Sequence, residues 1–327
     1  MGRRIVNSTG SIEGSDTSPP SANAGSGVTA RATAPESWLG RVGIFLEMIK
    51  VSHTLFALPF AIGATFLAAG GWPTLSQFGW IVLAVLCART AAMAFNRWLD
   101  RSIDAANPRT ADRAIPAGLL SPRFVLGTVV LSSAGFVGVA AMLGPLPLKL
   151  SPIALVVVLG YSAMKRISFL CHLALGAALA LAPIGAWIAI RGENNLPPWI
   201  LGAAVMFWTA GFDILYATLD HDFDRERGLH SAPVRFGVRG SLRVAAALHA
   251  AMIAALLLLG GVLDLGLVYF STVLAVAGVI THEHRIVDPD DLSRVPRAFF
   301  FWNVVISLAL AAALMIETFR AAAEAAR

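Results

Sequence analysis

From about residue 40 onward the chain alternates long apolar runs with short polar stretches, and few charges interrupt the runs. A membrane-crossing helix needs roughly 20 mostly apolar residues. By that rule about nine spans are predicted, at 44–68, 75–95, 123–143, 151–164, 168–190, 198–219, 242–262, 265–281 and 299–318. The expectation is an all-α, polytopic transmembrane bundle of about nine helices over residues 39–327. The preceding segment contains "NSTGSIEGSDTSPPSANAGSGVTA", rich in small and polar residues without aliphatic clustering. Such a composition cannot offset the entropy of ordering, so residues 1–38 are expected to form a disordered tail. No apolar core ends there in a small-residue cleavage site, so neither a secretory nor an organellar presequence is expected.

Composition strengthens the membrane reading, because 57% of the 327 residues are hydrophobic and 14% are charged. A mean hydropathy of +0.70 is too high for one soluble core to bury. The two cysteines, Cys87 and Cys171, lie inside apolar runs and predict neither a disulfide nor a zinc site.

The charges carry an orientation. Of the 25 Lys and Arg residues, 15 fall in the stretches after the second, fourth, sixth and eighth spans, and only Lys149, Arg191, Arg320 and Arg327 fall on the other side. The positive-inside rule places the richer side in the cytoplasm. The net charge of +5 is therefore a topology signal, and no nucleic-acid partner is expected.

Two acidic motifs lie on that same side. In "FNRWLDRSIDAANPRTADRAIP" (residues 95–116), Asn96, Asp100 and Asp104 recur every four residues. On a helix that spacing makes one ridge of oxygen ligands. In "GFDILYATLDHDFDRERGLHS" (residues 211–231), Asp213, Tyr216, Asp220 and Asp224 form a second ridge. Two facing carboxylate ridges repel unless a cation lies between them. An oxygen-only donor set predicts Mg²⁺ or Mn²⁺ over zinc, with Asn96, Asp100, Asp104, Asp220 and Asp224 as ligands. Magnesium shares phosphate oxygens readily, so the expected ligand is a diphosphate. Arg97, Arg101, Arg109, Arg113, Lys165 and Arg166 supply the matching positive charge.

With these motifs the chain resembles the UbiA superfamily of intramembrane prenyltransferases, over about residues 40–318. Asn96, Asp100, Asp104 and then Asp220, Asp224 match the family's two acidic motifs. "RTADRAIPAG" (residues 109–118), "YSAMKR" (161–166) and "GLHSAPVRFG" (228–237) match three further elements in order. Arg97 stands where the family has an aspartate, Ala114 and Ser162 where it has prolines, and His230 where many members have lysine.

The resemblance implies Mg²⁺-dependent transfer of a polyprenyl group from its diphosphate to a ring carbon of a small aromatic acid. The implied acceptors are 4-hydroxybenzoate and a dihydroxynaphthoate, in ubiquinone or menaquinone biosynthesis. The enzyme is expected among membrane lipids of a bacterial inner membrane, with its active site facing the cytoplasm. Tyr161 and Tyr216 are candidates to stabilise an allylic cation, and Lys50 is a further candidate contact to the diphosphate. Asp213 is a candidate to orient or deprotonate the acceptor's phenol, since an ionisable group inside a span usually faces a site. Arg89 is expected either to hold the acceptor carboxylate or to pair with Asp213. His172 and His249 are read as packing or interfacial residues, and "THEHR" (residues 281–285) as an exposed loop. The rival reading is an ion- or proton-coupled transporter that uses these acids.

Overall fold

The structure is a computed structural model, and it describes residues 37–50, 54–288, 292 and 295–326. Nearly all of the predicted tail, and His53, lie outside the described residues. The described elements are α-helices joined by short turns: α1 (Trp38–Met48), α2 (Thr54–Ala69), α3 (Leu75–Leu99), α4 (Arg101–Ala106), α5 (Pro122–Leu143) and α6 (Pro145–Met164), followed by α7 (Cys171–Arg191), α8 (Leu196–Ala217), α9 (His221–Glu226), α10 (Ala232–Val262), α11 (Leu267–Ile286) and α12 (Val295–Ala325).

Eight of the nine predicted spans each fall mainly on one helix. Among the described residues, seven helical stretches are long and apolar enough to cross a membrane: those in α3, α5, α6, α7, α10 and α12, and α8 with its continuation to Glu226. The apolar part of α2, Phe56–Ala69, is shorter.

Two boundaries differ most from the sequence reading. The first span, expected as one run over 44–68, is divided between α1 and α2. Lys50 follows α1 with a φ of 49°, a left-handed conformation that ends a right-handed helix. The seventh span begins ten residues before its predicted start, because a turn of helix precedes a break at Gly237. There φ is 69° and ψ is 170°, a region open essentially to glycine alone.

Local signals set the helix starts. Thr74 and Gln77 form a reciprocal capping box at α3, and the Ser121 hydroxyl accepts the Phe124 N–H at α5. Packing then runs from α2 to α3, α3 to α5, and onward through α6, α7, α8, α10, α11 and α12, which returns to α2. The core centres on α8, where Trp208 and Leu215 are fully enclosed beside Phe60, Met252 and Tyr269. Outward-facing Val130, Leu131, Val156 and Leu274 are exposed, as a lipid-facing surface requires. The α7 and α8 backbones come so close that a Cβ at Gly176 would collide with the Met206 carbonyl oxygen.

Candidate active site

The first acidic ridge crosses a helix junction without losing its register. α3 ends at Leu99, Asp100 stands at the break, and α4 carries Asp104. The Asp100 N–H still donates to the Asn96 carbonyl (2.9 Å), and the Asp104 N–H to that of Asp100 (2.8 Å). The Asn96 side-chain amide donates to Asp100 Oδ2 at 3.0 Å, so these two residues act as one polar unit. The second ridge is not the single straight helix that the spacing predicts. After α8, residues Thr218–Asp220 form one 3₁₀ turn before α9 carries Asp224. This tighter winding shifts the register between Asp213 and the two later acids.

Basic side chains join the two ridges. Lys165 and Arg166 follow α6 and reach in opposite directions: Lys165 Nζ lies 2.8 Å from Asp224 Oδ1, and Arg166 Nη2 lies 2.7 Å from Asp100 Oδ1. Arg166 also donates to the Leu99 carbonyl at 2.9 Å. Arg109, beyond α4, grips Asp220 with both Nε (2.9 Å) and Nη2 (2.5 Å), while the Asn107 amide donates to the same carboxylate at 3.4 Å. Arg113 holds Asp104 at 2.7 Å. The repulsion that led the sequence reading to a metal is thus relieved here by four cations. Among the described residues, no three His, Cys, Asp or Glu side chains converge as a metal-holding group.

The acids differ in access. Asp100 and Asp220 keep 24% and 13% of their side-chain surface, whereas Asp104 keeps 8% and Asp224 none. Burial raises the Asp100 pKa above the usual carboxylate range, and the Arg166 guanidinium partly opposes that shift. Asp104 Oδ2 is shut off from solvent and has no hydrogen-bond partner, which leaves one acceptor on the first ridge unsatisfied.

A cavity of about 290 Å³ lies among α3, α5, α6 and α7, lined by small and aliphatic side chains from Ala57 to Trp199. Arg89 is the one charged side chain in that lining, and Tyr161 is its one tyrosine. Arg89 has no ion-pair or hydrogen-bond partner among the described residues, although Tyr161 lies within its electrostatic reach. The alternative pairing of Arg89 with Asp213 is overturned, because Asp213 is taken by His172 (Nδ1 to Oδ2, 2.7 Å). His172 is therefore more than a packing residue. A lone acid within a span needs a partner, and that requirement is the signal that points to one.

The remaining sequence candidates divide. Arg97 sits in the last turn of α3, where the charges of Arg113, Asp104 and Asp100 act on it. Tyr216 packs against the α8 core and feels Glu283, so it is not among the residues lining the cavity with Tyr161. Lys50 is exposed and contacts neither ridge among the described residues. The "THEHR" segment is no loop: it completes α11, where His284 Nε2 lies 2.8 Å from His249 Nδ1.

Paired acids and bases thus gather where α3, α6 and α8 end, and an apolar cavity lies among the helices that lead to them. A sequence profile of the UbiA prenyltransferase family matches residues 57–305. The chain belongs to that family. It is 33% identical to a 4-hydroxybenzoate octaprenyltransferase of Photobacterium profundum over 258 residues, covering 78% of this chain and 89% of the relative. The apo structure of a UbiA homolog from Aeropyrum pernix K1 is 34% identical, with a TM-score of 0.74, and covers 81% of this chain and 98% of that one. A UbiA homolog from Archaeoglobus fulgidus, bound to DMAPP and Mg²⁺, shares the fold at 18% identity, with a TM-score of 0.62 and coverage of 83% and 99%. The protein is thus a prenyltransferase of the UbiA family, with seven helical stretches among its described residues long and apolar enough to cross a membrane. That assignment replaces the transporter reading.

Proposed function

We propose that this enzyme transfers a polyprenyl group from its diphosphate to a ring carbon of 4-hydroxybenzoate, at the cytoplasmic face of a bacterial inner membrane. The observation that carries the reading is the meeting of two acidic ridges, through Lys165, Arg166 and Arg109, above a cavity whose single lining charge is Arg89. The curated relative's activity and the ligands of the Archaeoglobus homolog support it. The skew of Lys and Arg toward one side supports the orientation.

Asn96, Asp100, Asp104, Asp220 and Asp224 would hold Mg²⁺, and the fit rests on an all-oxygen donor set with an orphaned oxygen on Asp104. Bound Mg²⁺ would neutralise the charge that grows on the departing diphosphate. Arg109, Arg113, Lys165 and Arg166 already lie against these acids and can turn to phosphate oxygens, which offer guanidinium groups the same bidentate geometry. The apolar lining keeps water from the allylic cation, and the Tyr161 ring face can stabilise it. Arg89 lies seven residues before Asn96, about 10 Å deeper along α3. There it can bind the acceptor carboxylate.

The test is a membrane assay with Mg²⁺, octaprenyl diphosphate and either 4-hydroxybenzoate or 1,4-dihydroxy-2-naphthoate, read by mass spectrometry of the lipid product. Prenylated 4-hydroxybenzoate is expected. Product from the naphthoate alone would overturn the assignment of acceptor, and product from neither would overturn the reading.

A further inference from the structure

We infer that Arg97 is a built-in cation that takes the place of one metal ion, so that the diphosphate is received with a single Mg²⁺. This stoichiometry rests on the metal and diphosphate sites proposed above.

The pattern of cavity-lining residues along α3 places the side chain. They fall in two rows of four-residue steps, one through Ala84, Ala88 and Ala92 and the other through Val85, Arg89 and Met93. Residues four apart lie nearly above one another on a helix. One further step carries the first row to Asn96 and the second to Arg97, both still within α3. Arg97 therefore stands about 6 Å above Met93, at the rim of the cavity and next in sequence to the amide that donates to Asp100. Its electrostatic surroundings agree with that placement. Asp104 and Asp100 favour its charge, Arg113 opposes it, and the cavity-lining Tyr161 hydroxyl feels both Arg97 and Arg89.

Arg97 differs from the other cations of the mouth in having no acid of its own. Arg166, Arg113, Arg109 and Lys165 each hold one of Asp100, Asp104, Asp220 and Asp224, and the charges of those pairs cancel. Arg101 turns to the Trp98 carbonyl and ring. Arg97 is half-buried, and among the described residues it has no hydrogen-bond or ion-pair partner. The mouth thus holds one uncancelled positive charge before any ligand arrives. A fully ionised prenyl diphosphate brings three negative charges and one Mg²⁺ brings two positive, so with Arg97 the assembly is neutral. A second Mg²⁺ would leave two positive charges in excess, where weak solvation makes uncompensated charge costly. An unpartnered guanidinium can also meet phosphate oxygens without first giving up an acid.

The experiment counts metal ions. The full-length protein in detergent is titrated with Mn²⁺ in place of Mg²⁺, in the presence of geranyl S-thiolodiphosphate, a trianionic analogue whose C–S bond resists cleavage. Bound Mn²⁺ is followed by electron paramagnetic resonance. One Mn²⁺ per chain, with the spectrum of an isolated ion, is expected for the unaltered chain and for Arg97→Lys, which keeps the charge. Arg97→Asp is expected to bind two, because it removes the cation and adds an oxygen donor beside Asn96. Two ions about 4 Å apart would broaden each other's spectrum. Two Mn²⁺ in the unaltered chain or in Arg97→Lys would overturn this inference alone, even if Arg97→Asp failed to fold. Any number but two in a folded Arg97→Asp would do the same. No Mn²⁺ retained by the unaltered chain, with or without the analogue, would overturn the underlying metal and diphosphate reading as well.

Discussion

The charged mouth and the apolar shaft are held together by different means. At the mouth, ion pairs join residues far apart in the chain: Arg109 to Asp220, Lys165 to Asp224 and Arg166 to Asp100. The shaft is lined by small and aliphatic side chains that lock nothing by charge, and behind it α7 meets α8 through small residues such as Gly176. A mouth built from exchangeable ion pairs can release its cations to an incoming anion. A shaft built from close packing keeps its shape and its dryness.

The sharpest way to test this division is Asp100→Asn or Asp220→Asn. Each should reduce turnover by about 10²–10³-fold, the cost of removing one electrostatic element from a preorganised site. The melting temperature should barely move, as checked by product mass spectrometry and thermal unfolding of the same detergent-solubilised sample. A large fall in melting temperature with turnover retained would assign these acids to the scaffold instead.

Arg89 stands where the two regions meet. Arg89→Ala should raise KM for 4-hydroxybenzoate by about 10- to 100-fold, as loss of a charge-assisted contact does. KM for the polyprenyl diphosphate should stay close to that of the unaltered chain in steady-state assays. Equal loss for both substrates would erase the proposed boundary.

Asp224→Ala should act on the fold as well as the chemistry, because the carboxylate is fully enclosed and its removal strands Lys165. With 37% of the Lys165 side chain still solvated, the expected loss is about 2–3 kcal/mol, seen as a lower melting temperature. Gly176→Ala tests the close packing of α7 on α8 behind the shaft. Overpacking against the Met206 carbonyl should destabilise by about 1–3 kcal/mol, with KM for 4-hydroxybenzoate unchanged in the fraction that remains folded.

Much of this architecture was legible in the chain. Apolar length located the helices, and the four-residue spacing of Asn96, Asp100 and Asp104 survived a helix break because the backbone hydrogen bonds continue across it. The spacing in the second motif misled, since nothing in "YATLDHD" announces the 3₁₀ turn at Thr218–Asp220. Apolar length also concealed the division of the first span at Lys50, where one left-handed residue outweighs the local composition.

Hydropathy and the spacing of acids therefore set the class of protein, the ends of most helices and the two ridges, because those depend on neighbours within a few turns. Which cation meets which acid, that Asp213 goes to His172 and leaves Arg89 without a partner among the described residues, and that Tyr161 lines the cavity while Tyr216 turns to the core all depend on residues brought together from far along the chain. Local periodicity carries no record of such distant pairings. Only the packing of α3, α6, α7 and α8 around a shared space selects them.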